Sequence, residues 1–288
     1  MTQYDLRLTP ARPDLAALHL KGQVAAASFV AGRRMRVREE VIGLRGDPSP
    51  EASLQTQALY GEDVMVYEDH EGWAWCQLLR DGYVGYCPAN ALGSADAALT
   101  HRVAVPRSFV WPGASIKHPV LLALPLGARL SLVEKRGEFG VLAEGGFIQL
   151  KHVSQIDAFA FDFVASAEQF MHVPYLWGGK TSMGLDCSGL VQVSLDAAGL
   201  NAPRDSDMLE TALGEPLAVG DDLAGLQRGD LVFWRGHVGI MQDGERVLHA
   251  NGHHMMVASE PLREARDRIL AKSYGPITSF RRLASPLK

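Results

Sequence analysis

The chain has 288 residues, of which 47% are hydrophobic and 21% charged, and its formal net charge is −5. This composition excludes a disordered chain, leaves room for two or three small domains, and gives no electrostatic reason to bind nucleic acid, since Arg33-Arg34-Met35-Arg36 is only a short solvated basic cluster. Cys76, Cys87 and Cys187 cannot all pair and match no zinc-module spacing, so neither a disulfide scaffold nor a zinc module is expected; Cys76 and Cys87 read as small core residues.

Residues 1–34 predict an extended lead with one short helix near Pro13 to His19 and no chemistry. They hold no basic segment followed by a long apolar run, and nothing in the chain approaches the roughly 18 apolar residues of a membrane span. The expectation is a cytoplasmic protein with no membrane partner. From residue 35 to 95, short alternating runs are separated by turn residues at Asp47-Pro48, Gly61, Glu71-Gly72, Asp81-Gly82 and Cys87-Pro88, the pattern of a small β-barrel. The order returns between residues 96 and 155. Leu59-Tyr60-Gly61, Gly72-Trp73 and Gly82-Tyr83 correspond to Pro125-Leu126-Gly127, Gly137-Glu138 and Gly146-Phe147, which predicts two divergent copies of one barrel. The last domain, 156–288, opens with a predicted helix from Asp162, its N-cap, to Met171, with Pro174 beyond its end.

Chemistry concentrates between Tyr175 and Leu200, YLWGGKTSMGLDCSGLVQVSLDAAGL. A glycine-rich loop leads into Asp186-Cys187-Ser188, after which Leu190, Val191, Ser194, Leu195 and Ala198 recur at helical spacing up to Gly199. Cys187 therefore sits at a helix N-terminus, where unpaired N–H groups and the helix dipole favour a thiolate and lower its pKa from about 8.5. Past it, Asp207 and Glu210 have capping-box spacing for a helix through about Leu213. That leaves Asp205 and Ser206 just outside, an uncapped acid suited to a cationic ligand. Downstream, Leu231 to Trp234, His237 to Met241 and Arg246 to Ala250 read as strands, with Asp243-Gly244 as a hairpin turn. This turn brings position 237 opposite 249 or 250 and makes His237 and His249 cross-strand neighbours. One imidazole can take the Cys187 proton while the other orients it, a nucleophile, base and orienter set. His253 and His254 follow too closely to share the face of His249 and read as loop residues.

The motifs D-C-S-G-L, R-G-D-L-V-F, G-H-V-G-I and H-A stand in this order, and in them the sequence resembles the NlpC/P60 family of papain-like cysteine peptidases over about residues 157 to 288. The barrels resemble bacterial SH3 domains and extend the resemblance to the γ-D-glutamyl-L-diamino acid endopeptidases. What it implies is an α+β fold, a papain-like catalytic domain preceded by two SH3-like β-barrels. By resemblance Cys187 is the nucleophile, His237 the general base and acid, and His249 the orienting residue, in agreement with the reading from the residues. The resemblance further implies that Trp177, Asp186 and Ser188 face the substrate, and that Asp205 and Ser206 hold the free α-amino group of an N-terminal L-alanine. Tyr83, at a G-Y-V-G turn, is expected to reach into the catalytic cleft, with Tyr86 as the alternative; Phe147 holds the equivalent place in the second barrel without a hydroxyl. The implied partner is a murein-derived peptide, L-Ala-γ-D-Glu-diamino acid, with diaminopimelate or lysine in the last position, and no cofactor. Cys187, His237 and His249 nominally supply three zinc ligands, but no acidic residue stands where a metal-bound water would need its base, so no metal is expected. Two further functions stay open at this point: an amidase or acyltransferase using the same Cys and His pair, and a non-catalytic wall-peptide binding protein.

Overall fold

The computed structural model describes residues 4–284. Its chain divides into two units, Met1–Ala158 and Phe159–Lys288.

In the first unit the turn glycines organise two barrels by the same hydrogen bonds. Gly61 and Gly127 both have φ near +80° (80° and 85°), a conformation that costs glycine nothing. In the first copy Gly61 N–H donates to Val37 O and Val37 N–H to Glu62 O; in the second, Gly127 N–H donates to Val103 O and Val103 N–H to Ala128 O. Gly72 and Gly137, again at positive φ, turn the central hairpins Asp63–His70 to Trp73–Leu78 and Leu132–Arg136 to Phe139–Leu142. The repeat legible in the sequence is thus a repeat of backbone geometry. Gly61 has a second reason to lack a side chain, because a Cβ there would lie 2.0 Å from Arg129 O, where the copies meet. Alternating inward residues fill each barrel: Val37, Leu44, Val64 and Leu78 in the first, Val103, Leu124, Leu130 and Ile148 in the second.

The lead differs from expectation. No helix spans residues 13–19; Leu15–Ala17 is a strand paired in parallel with Ser28–Val30, followed by a single 3-10 turn, Leu18–Leu20. Leu15, Ala16 and Ala17 are all buried, so packing rather than helix propensity sets this segment. The lead is also stitched to the first barrel: Val84 N–H donates to Arg7 O, Leu8 packs on the barrel core, and Arg12 pairs with Glu68.

In the second unit a six-stranded antiparallel sheet runs in the order Glu215–Pro216, Ile277–Arg282, Leu231–Trp234, His237–Met241, Arg246–Asn251, Met256–Pro261. Among the described residues four α-helices accompany it: α1 (Phe163–Glu168), α2 (Cys187–Ala197), α3 (Ser206–Ala212) and α4 (Leu262–Lys272). Asp162 caps α1 as the sequence predicts, accepting from Val164 N–H at 2.8 Å. The helix ends earlier than Met171, because Phe170 and Met171 bond three residues back and tighten the last turn before His172 enters positive φ. Every residue of α2 is buried, its polar residues included, which marks a central helix rather than a surface one. It stops at Gly199, at φ 77°, with Leu200 N–H reaching back to Leu195 O.

α3 starts earlier than its capping-box spacing suggests. Asp205, not Asp207, is the N-cap residue, its carbonyl accepting from Leu209 N–H, and Ser206 is already helical. The Asp205 side chain makes no capping bond. No helix among the described residues is long and apolar enough to cross a membrane.

Candidate active site

The site is built where the N-terminus of α2 meets the strand His237–Met241. Asp186 caps α2 by accepting from Gly189 N–H at 2.7 Å, which places Cys187 as the first helical residue. The carboxylate carries a larger load than a cap. Its oxygens also accept from Gly178 N–H at 2.8 Å and from both terminal nitrogens of Arg204 at 2.9 and 2.6 Å, while Arg204 donates to Ser188 Oγ at 2.7 Å. Arg204 is only 1% exposed. Asp186 and Ser188, expected to face the substrate, are instead buried with this guanidinium and fix the loop and helix that carry Cys187. Arg204 itself stands in the R-D-S segment, of which sequence reasoning used only the aspartate and the serine.

Burial also corrects the expectation of a depressed thiol pKa. Desolvation, followed by the charge of Asp186, pushes Cys187 up to about 12, against the weaker opposing influence of the Val238 and Ser188 backbone N–H groups and Arg204. The helix terminus is present as expected, yet it does not outweigh removal from water and an adjacent carboxylate. His237 is held well below its ordinary value, again by burial first and then by the neighbouring charges of His249 and Arg268. Both shifts favour a neutral thiol and a neutral imidazole over a preformed ion pair. Alkylation of Cys187 by iodoacetamide should accordingly be slow at neutral pH and rise about tenfold per pH unit between pH 6 and 9. A rate plateau reached below pH 7 would instead reveal a stable thiolate–imidazolium pair.

The two histidines meet as expected, though in another register. Ile240 pairs with Leu248 and Met241 with Val247, because the turn holds three residues, Asp243 to Glu245, with Asp243 Oδ1 accepting from the N–H groups of Glu245 and Arg246. The extra residue keeps 237 and 249 on the same face as diagonal neighbours, where a register with 237 opposite 250 would have split them across the sheet. Gly239 leaves the space between them: a Cβ there would sit 2.5 Å from Val247 Cγ2 and 3.5 Å from His249 Cβ. His237 Nε2 and His249 Nδ1 are 2.9 Å apart.

Beyond His249 lies a partner the sequence reading missed. His249 Nε2 is 2.7 Å from Glu260 Oε1, and Glu260 is held by both terminal nitrogens of Arg268 at 2.5 and 2.6 Å. Burial opposes the Glu260 charge, but the bonds from His249 and Arg268 win and hold its pKa far below the ordinary carboxylate range. An ionised Glu260 can only accept, so His249 carries its proton on Nε2 and presents a bare Nδ1. His237 must then donate from Nε2, and its Nδ1 remains as the lone pair able to take a proton. Both nitrogens of His249 are occupied, so it has none left for a metal. Glu260 was within reach of the sequence, since Met256–Pro261 pairs with Arg246–Asn251 and places Glu260 two positions past Ala258, the residue opposite His249.

Two tyrosines border Cys187. Burial, and then the charge Cys187 would carry, raise the pKa of both Tyr175 and Tyr274, and Tyr274 stacks on His237 with centroids 5.2 Å apart and planes 7° from parallel. Trp177 is 64% exposed, which rules out packing beneath the glycine loop and leaves its ring open to a ligand. Asp205 and Ser206 stand together at the start of α3, the former within electrostatic reach of Arg204. His254 lies in a turn, its N–H donating to Asn251 Oδ1, and His253 stands beside it. Tyr83 is corrected: at 3% exposure it belongs to the hydrophobic core of the first barrel. Tyr86 is engaged by Arg12, which donates to its hydroxyl at 2.8 Å.

Residues 172–271 match the NlpC/P60 family, and residues 44–92 match the bacterial dipeptidyl-peptidase Sh3 domain. The chain is 29% identical over 224 residues to the γ-D-glutamyl-L-lysine dipeptidyl-peptidase of Bacillus subtilis, a match that covers 68% of this chain and 72% of the relative. It is 27% identical to dipeptidyl-peptidase 6 of Lysinibacillus sphaericus, covering 72% and 84%. Among solved structures, an NlpC/P60 family protein from Bacillus cereus superposes with a TM-score of 0.71 at 21% identity, covering 87% of this chain and 99% of the other, a likeness of fold. With a cysteine at the start of a buried helix, a histidine relay on the facing strands and an SH3-type segment ahead of them, the chain is a peptidase whose residues 172–271 form an NlpC/P60 domain.

Proposed function

We propose that the protein hydrolyses the amide between γ-D-glutamate and the diamino acid of short murein peptides whose N-terminal L-alanine is free, and that it does so in the cytoplasm, recycling wall fragments. The observation that carries a hydrolytic reading is the chain Glu260–His249–His237, whose bonding leaves His237 Nδ1 as a base on the strand that faces Cys187. The names of the relatives support the substrate, and the resemblance of the R-D-S segment supports recognition of the free amino group.

In this reading His237 Nδ1 takes the Cys187 proton as sulfur adds to the γ-carbonyl. The resulting oxyanion needs N–H donors at the head of α2. Those of Gly189 and Leu190 are already bonded to Asp186 and that of Ser188 is directed at the Cys187 sulfur, which leaves the N–H of Cys187 for the task. Protonated His237 then gives its proton to the departing amine, and water, deprotonated by the same imidazole, resolves the thioester. Asp205 and Ser206 take the ammonium of L-alanine, and Trp177 covers the peptide. In intact wall that nitrogen is acylated and neutral, so Asp205 would meet a bulky amide in place of a cation.

The test is release of L-Ala-D-Glu from L-Ala-γ-D-Glu-diaminopimelate beside its N-acetylated form, with Cys187→Ala as the control. Cleavage of the free peptide alone, abolished in the control, is the expected result. Equal cleavage of both would sink the recycling role and point to a general wall hydrolase.

A further inference from the structure

A pocket of about 240 Å³ opens beside His237. Its size falls below the roughly 300–1,000 Å³ of sites for drug-sized ligands and suits a single amino-acid residue. His237 and the Tyr274 ring stacked on it form one wall, and Arg268, Lys272 and His253 line the rest with Asn251. Cys187 is not part of the lining. The pocket therefore opens at the imidazole that would protonate a leaving amine and not at the sulfur that would hold the acyl group.

The charged side chains of its lining are cationic. No carboxylate lines it. Glu260 is bonded to Arg268 and His249 and is not one of the lining residues; that salt bridge engages one N–H on each terminal nitrogen of a guanidinium that carries five. The charge of Arg268 foremost, with burial and the charges of His254 and Lys272, outweighs the opposing charge of Glu260 and holds His253 below its ordinary pKa, the mark of a net positive potential at this mouth.

We propose that this pocket receives the leaving diamino acid and selects one whose far end carries a carboxylate, as diaminopimelate does, over lysine. The assignment rests on the γ-glutamyl peptidase reading above. The far end of lysine is a bare ammonium, which would face Arg268 and Lys272 with like charge. Diaminopimelate ends in an ammonium and a carboxylate on one carbon, and the carboxylate meets the cations directly. The α-carboxylate of either tripeptide offers the same chemistry from a different place, so the comparison must separate the two.

Three free tripeptides do so: L-Ala-γ-D-Glu-meso-diaminopimelate, the same peptide with its distal carboxylate amidated, and the L-lysine counterpart. The wild-type protein should show kcat/KM about tenfold higher for the first than for the other two, and Lys272→Glu should bring the three to within about twofold. Arg268 is left intact because it also holds Glu260. Equal cleavage of the three by the wild type, or a uniform fall on Lys272→Glu, would overturn the assignment and place the cations on the α-carboxylate. No cleavage of any peptide by the folded protein would overturn the peptidase reading and this assignment with it.

Discussion

Glu260→Gln is expected to lower kcat by about 10² to 10³ with little change in KM, although residue 260 touches neither substrate nor sulfur. The ionised carboxylate enforces the proton positions in both imidazoles, and an amide does not. With its NH₂ turned toward His249 Nε2, glutamine would move the His249 proton to Nδ1 and the His237 proton to Nδ1 in turn, removing the base. The other amide orientation keeps the tautomers but sets NH₂ against Arg268 and gives no charge to support the imidazolium formed during attack. The loss of Glu260 also removes the negative charge that raises His237, so the acid limb of kcat/KM, already low, should move to still lower pH. A purely structural role would leave that limb and the ¹⁵N shifts of the His237 ring unchanged, and wild-type values for both would refute the relay.

This dependence on a distant carboxylate shows which parts of the site the sequence could disclose. Cys187 and the two histidines were legible because each sits in a local pattern: a glycine loop ending at a helix start, and a hairpin whose strands alternate. The barrel repeat was legible for the same reason, since turns that need positive φ leave glycines at fixed offsets. Register was not, because one extra residue in the Asp243–Glu245 turn shifts every pairing and only the finished sheet decides it. Electrostatics were not legible either. A helix N-terminus argues for a thiolate when taken alone, but how far Cys187 is withdrawn from water depends on elements remote in sequence that close over it. Tyr83 was misplaced by the same limit, for a tyrosine after a turn glycine can point outward to a ligand or inward, and here the barrel core takes it. Among the polar residues, Asp186, which flanks Cys187, was expected by resemblance on the substrate face; its partner, 18 residues away, gives it another task.

That partner supplies the other large expected effect. Arg204→Leu should destabilise the catalytic unit by about 3–5 kcal/mol, because it leaves the Asp186 carboxylate buried without its counter-charge. For a unit of this size the melting temperature would fall by roughly 10–20 °C. Burial opposes the guanidinium charge, yet Asp186 more than offsets it and raises the Arg204 pKa, so the guanidinium stays ionised. The cost belongs to the stranded charge rather than to lost attraction, which a second substitution can separate. Asp186→Asn combined with Arg204→Leu removes both charges while an amide oxygen still accepts from Gly189 N–H, and should recover a good part of the lost stability. It should not recover activity, because Gly178 N–H and Ser188 Oγ lose the partners that hold the loop and the first turn of α2 around Cys187. Thermal melts followed by circular dichroism, with tripeptide hydrolysis measured well below each melting point, read the two effects separately. Should Arg204→Leu melt within 2 °C of the wild type, water must reach Asp186, and the buried ion pair would no longer explain how the nucleophile is held.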